Sequence, residues 1–196
     1  MAFDFTAAIR PLMEDIVGAC EELRHVDMAR VGVAFAQTRH GRLDGVYATI
    51  HPLRFLGGAR TMQRRGHTFE MPQIVVNGQE LLYIITYCLP RFLDLPFERK
   101  MSTIVHELYH ISPNFDGDVR RLGGGKPYHA GSKRRFDAVM GRIAEAYLRA
   151  TRRPELHAFL RHTFRELADA HGRIVGFRFR AIRPRRISRP GDSQSS

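Results

Sequence analysis

MSTIVHELYHISP, residues 101–113, is the stretch on which the reading of this chain turns. His106 and His110 are four residues apart, so on a helix they project from one face, one turn above the other, where a single metal ion can be shared. Glu107 stands beside them. At about 100° per residue, Phe97, Met101, Ile104, Val105, Leu108 and Ile111 fill the opposite arc, so one face is core and the other is free to be a site. Neutral imidazoles suit zinc, which keeps an open position for water and lowers that water's pKa to about 7. A carboxylate next to a ligand can then act as general base, which assigns that role to Glu107.

Two imidazoles are too few, because a catalytic zinc usually takes three protein ligands. His129 is the preferred third, returned over the metal by the glycine-rich stretch 122–131. Asp116, six residues after His110, is the rival, although Pro113 occupies the turn position where a permissive residue is needed. Otherwise Asp116 and Asp118 serve to orient an imidazole N–H or simply to build the turn in NFDGD. Tyr128 is a candidate donor to the oxyanion. LGGGKP (122–127) lacks the spacing of a phosphate-binding loop, and Lys126 is followed by Pro127. Among His25, His51, His67, His157 and His162, only the His157 and His162 pair approaches a ligand spacing, and it is one residue too long for a shared helical face.

Working outward, a helix is expected from about Phe97 to Ile111, capped by Asp94 and stopped by Ser112-Pro113. Upstream, residues 4 to 24 carry apolar side chains at spacings of three and four and read as a helix with Pro11 inside it. RVGVAFAQT (30–38) and GVYATIHPLRF (45–55) read as a hairpin turning at His40, Gly41, Asp44 and Gly45. LGGARTMQRRGHTFE (56–70) shows no periodicity and is assigned as loop. MPQIVVNGQELLYIITYCLP (71–90) gives two strands, with Asn77-Gly78 a two-residue turn and Leu81 to Leu89 the edge that lines the cleft. Downstream, one helix is capped by Ser132 and carries Phe136, Val139, Met140, Ile143 and Tyr147. Another runs from Pro154 to Gly172, and a last strand uses Ile174, Phe177 and Phe179. The expected fold is α+β and zincin-like: a small, mostly antiparallel sheet packed with an N-terminal helix and the HExxH helix, with further helices C-terminal.

Composition sets the bounds. At 196 residues and 43% hydrophobic content, one core is affordable, so residues 1–182 are expected to form a single domain and 183–196 a basic, disordered tail. No segment has the roughly 20 apolar residues of a membrane span, and the acidic start MAFDFTAAIRPLMED is unlike a signal peptide, so a cytoplasmic protein without a membrane partner is expected. Cys20 and Cys88 read as reduced core cysteines. The net charge of +11 is carried mostly by arginine. It favours acidic partners, nucleic acid through the C-terminal segment among them, and is equally what a solvated basic tail gives.

HELYHISPNFDGDVRR (106–121) followed by PYHAGS (127–132) resembles a phage metallopeptidase family, over most of the chain up to the helix after His129. HAGSKRRF (129–136) is more loosely similar to SprT-like zinc proteases. The resemblance implies His106, His110 and His129 as Zn2+ ligands, Glu107 as the base, and a hydrolase acting on a protein or peptide substrate. The alternative is a basic nucleic-acid-binding or structural protein with a non-catalytic zinc site.

Overall fold

A computed structural model describes residues 1–38, 45–121, 133–180 and 182–187, the side chains of 133–135 excepted. In chain order the strands are β1 (Phe3–Asp4), β2 (Val31–Gln37), β3 (Ala48–Pro52), β4 (Thr61–Arg64), β5 (His67–Glu70), β6 (Val75–Val76), β7 (Gln79–Glu80), β8 (Tyr83–Leu89), β9 (Ile174–Val175) and β10 (Arg185–Ile187). The helices are α1 (Phe5–Ala19), α2 (Phe97–Tyr109), α3 (Lys133–Ala150) and α4 (Phe164–His171). The chain is a mixed α+β fold.

The Asp4 carboxylate accepts the Ala7 N–H at 2.9 Å and so caps α1. Phe5, Ile9, Leu12, Met13 and Ile16 then form one fully buried stripe. Beyond Ala19 the expected helix tightens into a 3-10 turn at Glu21–Leu23. The stripe packs on a three-stranded sheet of order β2-β8-β3. There the Phe5 ring meets Phe35 and Tyr87 edge-on, with centroids 6.3 and 5.7 Å apart. Alternation along β8 sends Tyr83, Ile85, Tyr87 and Leu89 into this helix-covered core, while Ile84 joins Leu53 and Leu81 in a smaller cluster with Phe179 and Ile182.

The strand order departs from expectation. β2 and β3 do not form a hairpin: β8 lies between them, parallel to β2 and antiparallel to β3. The expected turn residues 39–44 lie outside the described residues. β8 is therefore the central strand, and the edge nearest α2 is β3, a correction to the edge expected at Leu81 to Leu89. Apolar β-rich runs look alike in sequence, and burial on both faces, which marks β8, is set by distant partners.

Three more segments differ. The stretch expected as loop at 56–70 contains the β4-β5 hairpin, closed by Arg65 (φ 50°) and Gly66 (φ 76°), both in the left-handed conformation that two-residue hairpin turns use. Its strands are short and mostly exposed, with Met62 and Phe69 their only apolar residues and only Thr68 and Phe69 half-buried, which hides them from apolar periodicity. Asn77 and Gly78 form the expected two-residue turn, but it closes the short β6-β7 hairpin, while β8 pairs with β2 and β3. In the segment expected to be disordered, β10 pairs antiparallel with β5, while residues 188–196 lie outside the described residues.

The helix expected from Pro154 to Gly172 is broken. Pro154–Arg161 is 3-10, and α4 starts afresh because Thr163 and Glu166 form a reciprocal capping box. Thr163→Ala is expected to lower stability by about 1 kcal/mol, read as a lower denaturation midpoint. An unchanged midpoint would show that α4 unfolds independently of the core.

Candidate metal centre

α2 starts at Pro96, whose φ of −55° suits a helix entry, with no side-chain cap. Asp94, the expected cap, instead accepts the Phe164 N–H at 3.0 Å and ties α4 to this region. Met101, Ile104, Val105, Leu108 and Ile111 are wholly buried, as their spacing predicts. Lys100 is buried too, its ammonium donating to Leu160 O at 2.8 Å and His162 O at 2.7 Å. These bonds fasten the outer flank of α2 to the end of the 3-10 segment.

On the other flank the His106 and His110 rings come together, their centroids 4.6 Å apart and their planes at 81°. Phe136, from the first turns of α3, holds both: its ring lies 4.7 Å from His106, edge-on, and 5.6 Å from His110, stacked. The next residue, Asp137, sets a carboxylate oxygen 3.9 Å from His106 Nδ1. A carboxylate at the Nδ1 side of a ligating imidazole orients the ring and favours the tautomer that leaves Nε2 for a metal. α3 is thus the element that shapes the imidazole pair.

This face is less open than the sequence suggests. Glu107 is 6% and His110 8% exposed, whereas the His106 side chain keeps 21%. Burial raises the Glu107 carboxyl from 4.5 to about 7, against the opposing pull of a hydrogen bond from the Ile50 N–H. That bond is available because of the sheet register. The Cys88 N–H bonds to Tyr47 O and the Leu53 N–H to Leu82 O, so with alternating pairs the backbone groups of Ala48 and Ile50 face away from β8. Among the described residues no further strand pairs with β3, and that edge runs over the carboxylate. A cleft of about 310 Å³ opens there, lined by Tyr47, Ala48, Arg99, His106, Glu107 and Asp137 among others. A larger groove of about 440 Å³ lies at the opposite edge of the sheet, beside Arg10, Val33 and Phe179, and holds no histidine.

His106, Glu107 and His110 are brought together as expected. His129, Tyr128 and the Ser132 cap lie outside the described residues. Asp116 does not join the pair: among the described residues no three His, Cys, Asp or Glu side chains converge to hold a metal. Its carboxylate accepts the Asp118 N–H at 3.1 Å and shapes the turn. Asp118 is tied elsewhere, accepting from Gly57 N at 3.0 Å, Val119 N at 2.8 Å and the Arg121 guanidinium at 2.9 Å. Burial pushes its pKa up, but Arg121 and the two backbone donors outweigh that and hold it below the usual aspartate value. Both are loop-building residues.

Asp137 and the Ile50 N–H were missed by sequence reasoning, and only tertiary packing brings them to α2. Two neighbouring imidazoles, one with a carboxylate oxygen 3.9 Å from its Nδ1, and a second carboxylate in an adjoining cleft suit a borderline divalent ion such as zinc and a proton acceptor beside it. Compared with protein-family profiles, with curated proteins and with solved structures, the chain gives no match. No helix among the described residues is long and apolar enough to cross a membrane.

Proposed function

We propose that the chain is a zinc-dependent, zincin-like metallopeptidase, as its resemblance to phage metallopeptidases and SprT-like zinc proteases implies, with His106, His110 and His129 as ligands and Glu107 as general base. The observation that carries this reading is the convergence of the two imidazoles of α2 beside a buried carboxylate, at a cleft under an open sheet edge. Zinc bound there supplies Lewis acidity to water and to a substrate carbonyl. Glu107 takes a proton as the water oxygen adds to the carbonyl carbon. When the C–N bond breaks, that proton passes to the leaving amine nitrogen.

The Ile50 N–H favours the ionised form of the Glu107 carboxylate against its burial and links the base to β3. The backbone N–H and C=O of Ala48 and the C=O of Ile50 face the cleft side of the sheet, where an extended peptide can add as a further strand. Main-chain pairing of this kind fixes a substrate without demanding a particular side-chain sequence.

Metal analysis tests the ligand set. Wild type and Asp116→Ala are expected to bind one equivalent of zinc, and His106→Ala, His110→Ala and His129→Ala to lose it. Zinc kept by His129→Ala would remove His129 as a ligand, and a wild type that takes up no zinc from micromolar excess sinks the proposal. Zinc-loaded protein is expected to cleave unfolded casein. Stoichiometric zinc without cleavage favours the non-catalytic alternative. Asp137→Asn is expected to keep the metal with about 10- to 100-fold weaker affinity, measured by chelator competition.

A further inference from the structure

The β10-β5-β4 sheet stands apart from both hydrophobic clusters, which include none of Met62, Phe69 and Ile187. Directly paired residues of an antiparallel sheet share a face. The pairs Arg64↔His67, Met62↔Phe69 and Arg186↔Phe69 therefore gather Met62, Arg64, His67, Phe69 and Arg186 on one side. The other side takes Thr61, Gln63, Thr68, Glu70, Arg185 and Ile187. On the first face Phe69 is central, flanked by Met62 and Arg186, and no residue of that face is acidic. The sheet's one carboxylate, Glu70, lies on the reverse, and among the described residues no carboxylate pairs with Arg64 or Arg186. Met62, Arg64, His67 and Arg186 are exposed.

The third strand comes from the arginine-rich C-terminal segment, so the chain folds part of its excess positive charge onto a surface that already carries Arg64. Burial does not explain this arrangement, since all three β10 residues are exposed. A central aromatic ring between unpaired guanidinium groups, in a protein of net charge +11, is suited to a polyanion that also offers flat apolar faces.

We propose that this face binds single-stranded nucleic acid, with a base stacked on Phe69 and flanking phosphates on Arg64 and Arg186. Three strands about 4.8 Å apart, two of four residues and one of three, at about 3.4 Å per residue make a platform of roughly 10 by 13 Å at most, the scale of one or two bases. A duplex hides the base faces that Phe69 would meet, and an acidic protein uses the arginines but not the ring. The inference is independent of the peptidase reading.

The test is fluorescence anisotropy of the full chain with a labelled oligothymidylate of about 20 nucleotides at low salt. Phe69→Ala is expected to weaken binding by about 5- to 100-fold, and Phe69→Trp to retain it. The double variant Arg64→Ser/Arg186→Ser is expected to bind more weakly and to reduce the log–log salt slope by about 1.4, the value for two phosphate contacts on a single strand. Gln63→Ala, on the reverse face, is expected to bind as wild type does. Several outcomes overturn the proposal: no binding at low salt, equal affinity for a duplex of the same length or for polyglutamate, or indifference to Phe69→Ala. So does binding lost on deleting residues 188–196 yet unaffected by the sheet variants.

Discussion

Glu107→Gln is expected to keep one equivalent of zinc and to lower peptide hydrolysis by about 10²- to 10⁴-fold, the range that positioned general bases contribute. The variant is informative because it changes so little else. Glutamine has the shape of glutamate, and its side-chain carbonyl can still accept the Ile50 N–H that holds the carboxylate beneath β3. The imidazoles rest on Phe136 and the backbone of α2, neither of which the substitution touches. His106→Ala is expected to lose metal and activity together. Activity measured alongside zinc content thus separates the proton carrier from the ligands: hydrolysis retained by zinc-loaded Glu107→Gln refutes the base assignment, and lost zinc would mean that the carboxylate helps to hold the metal.

The site was legible where chemistry and period coincide. HELYH fixes three side chains on one helix, and the helix forms because Met101, Ile104, Val105 and Leu108 share its buried stripe. What surrounds those residues was not legible. Asp137 reaches His106 only because α3 packs along α2, and nothing in the spacing of residues 106 and 137 encodes that. The edge strand was misplaced for a related reason. Ala48–Pro52 and Tyr83–Leu89 are both apolar β-rich runs, and the order β2-β8-β3 is a long-range property of the sheet.

The α4 boundary is a different kind of miss. Thr163-Phe164-Arg165-Glu166 spells a capping box in the sequence, while the apolar residues on either side keep a helical rhythm that runs through it. The β4-β5 hairpin offered a weaker signal, Gly66 between short runs containing Thr and Phe, in strands that bury too little for alternation to show. Local chemistry therefore places the three candidate side chains on one helix, and tertiary packing sets what surrounds them.

In the metal-free protein, Glu107 is expected to make stability fall as pH rises from about 4.5 to about 7. Its folded-state pKa lies above its unfolded value, because burial disfavours the carboxylate. Between those two values the native state holds a proton that the unfolded chain has released, so each step up in pH favours unfolding. The contribution is fully present below 4.5, is lost as pH passes 7, and amounts to about 3 kcal/mol at about 1.4 kcal/mol per pKa unit. Glu107→Gln, neutral at every pH, removes this dependence. Denaturation in chelator should therefore find wild type and variant nearly equal at pH 4, and the variant more stable by about 3 kcal/mol at pH 8. Taking the difference between the two proteins cancels the titration of groups remote from Glu107, which they share. Parallel pH profiles would mean that water reaches the carboxylate and that its burial is not maintained in solution. Zinc supplies the opposite linkage, since a ligand that binds only the native state stabilises it by an amount that grows with concentration. Adding zinc at pH 8 should then narrow the gap between the proteins to the extent that the ionised carboxylate is itself favoured by the nearby metal. A carboxylate kept out of water destabilises the empty fold and becomes tolerable once a cation arrives beside it. On the proposed reading, the same burial that makes Glu107 a proton acceptor near neutral pH would make the native state more stable with a cation bound than without one.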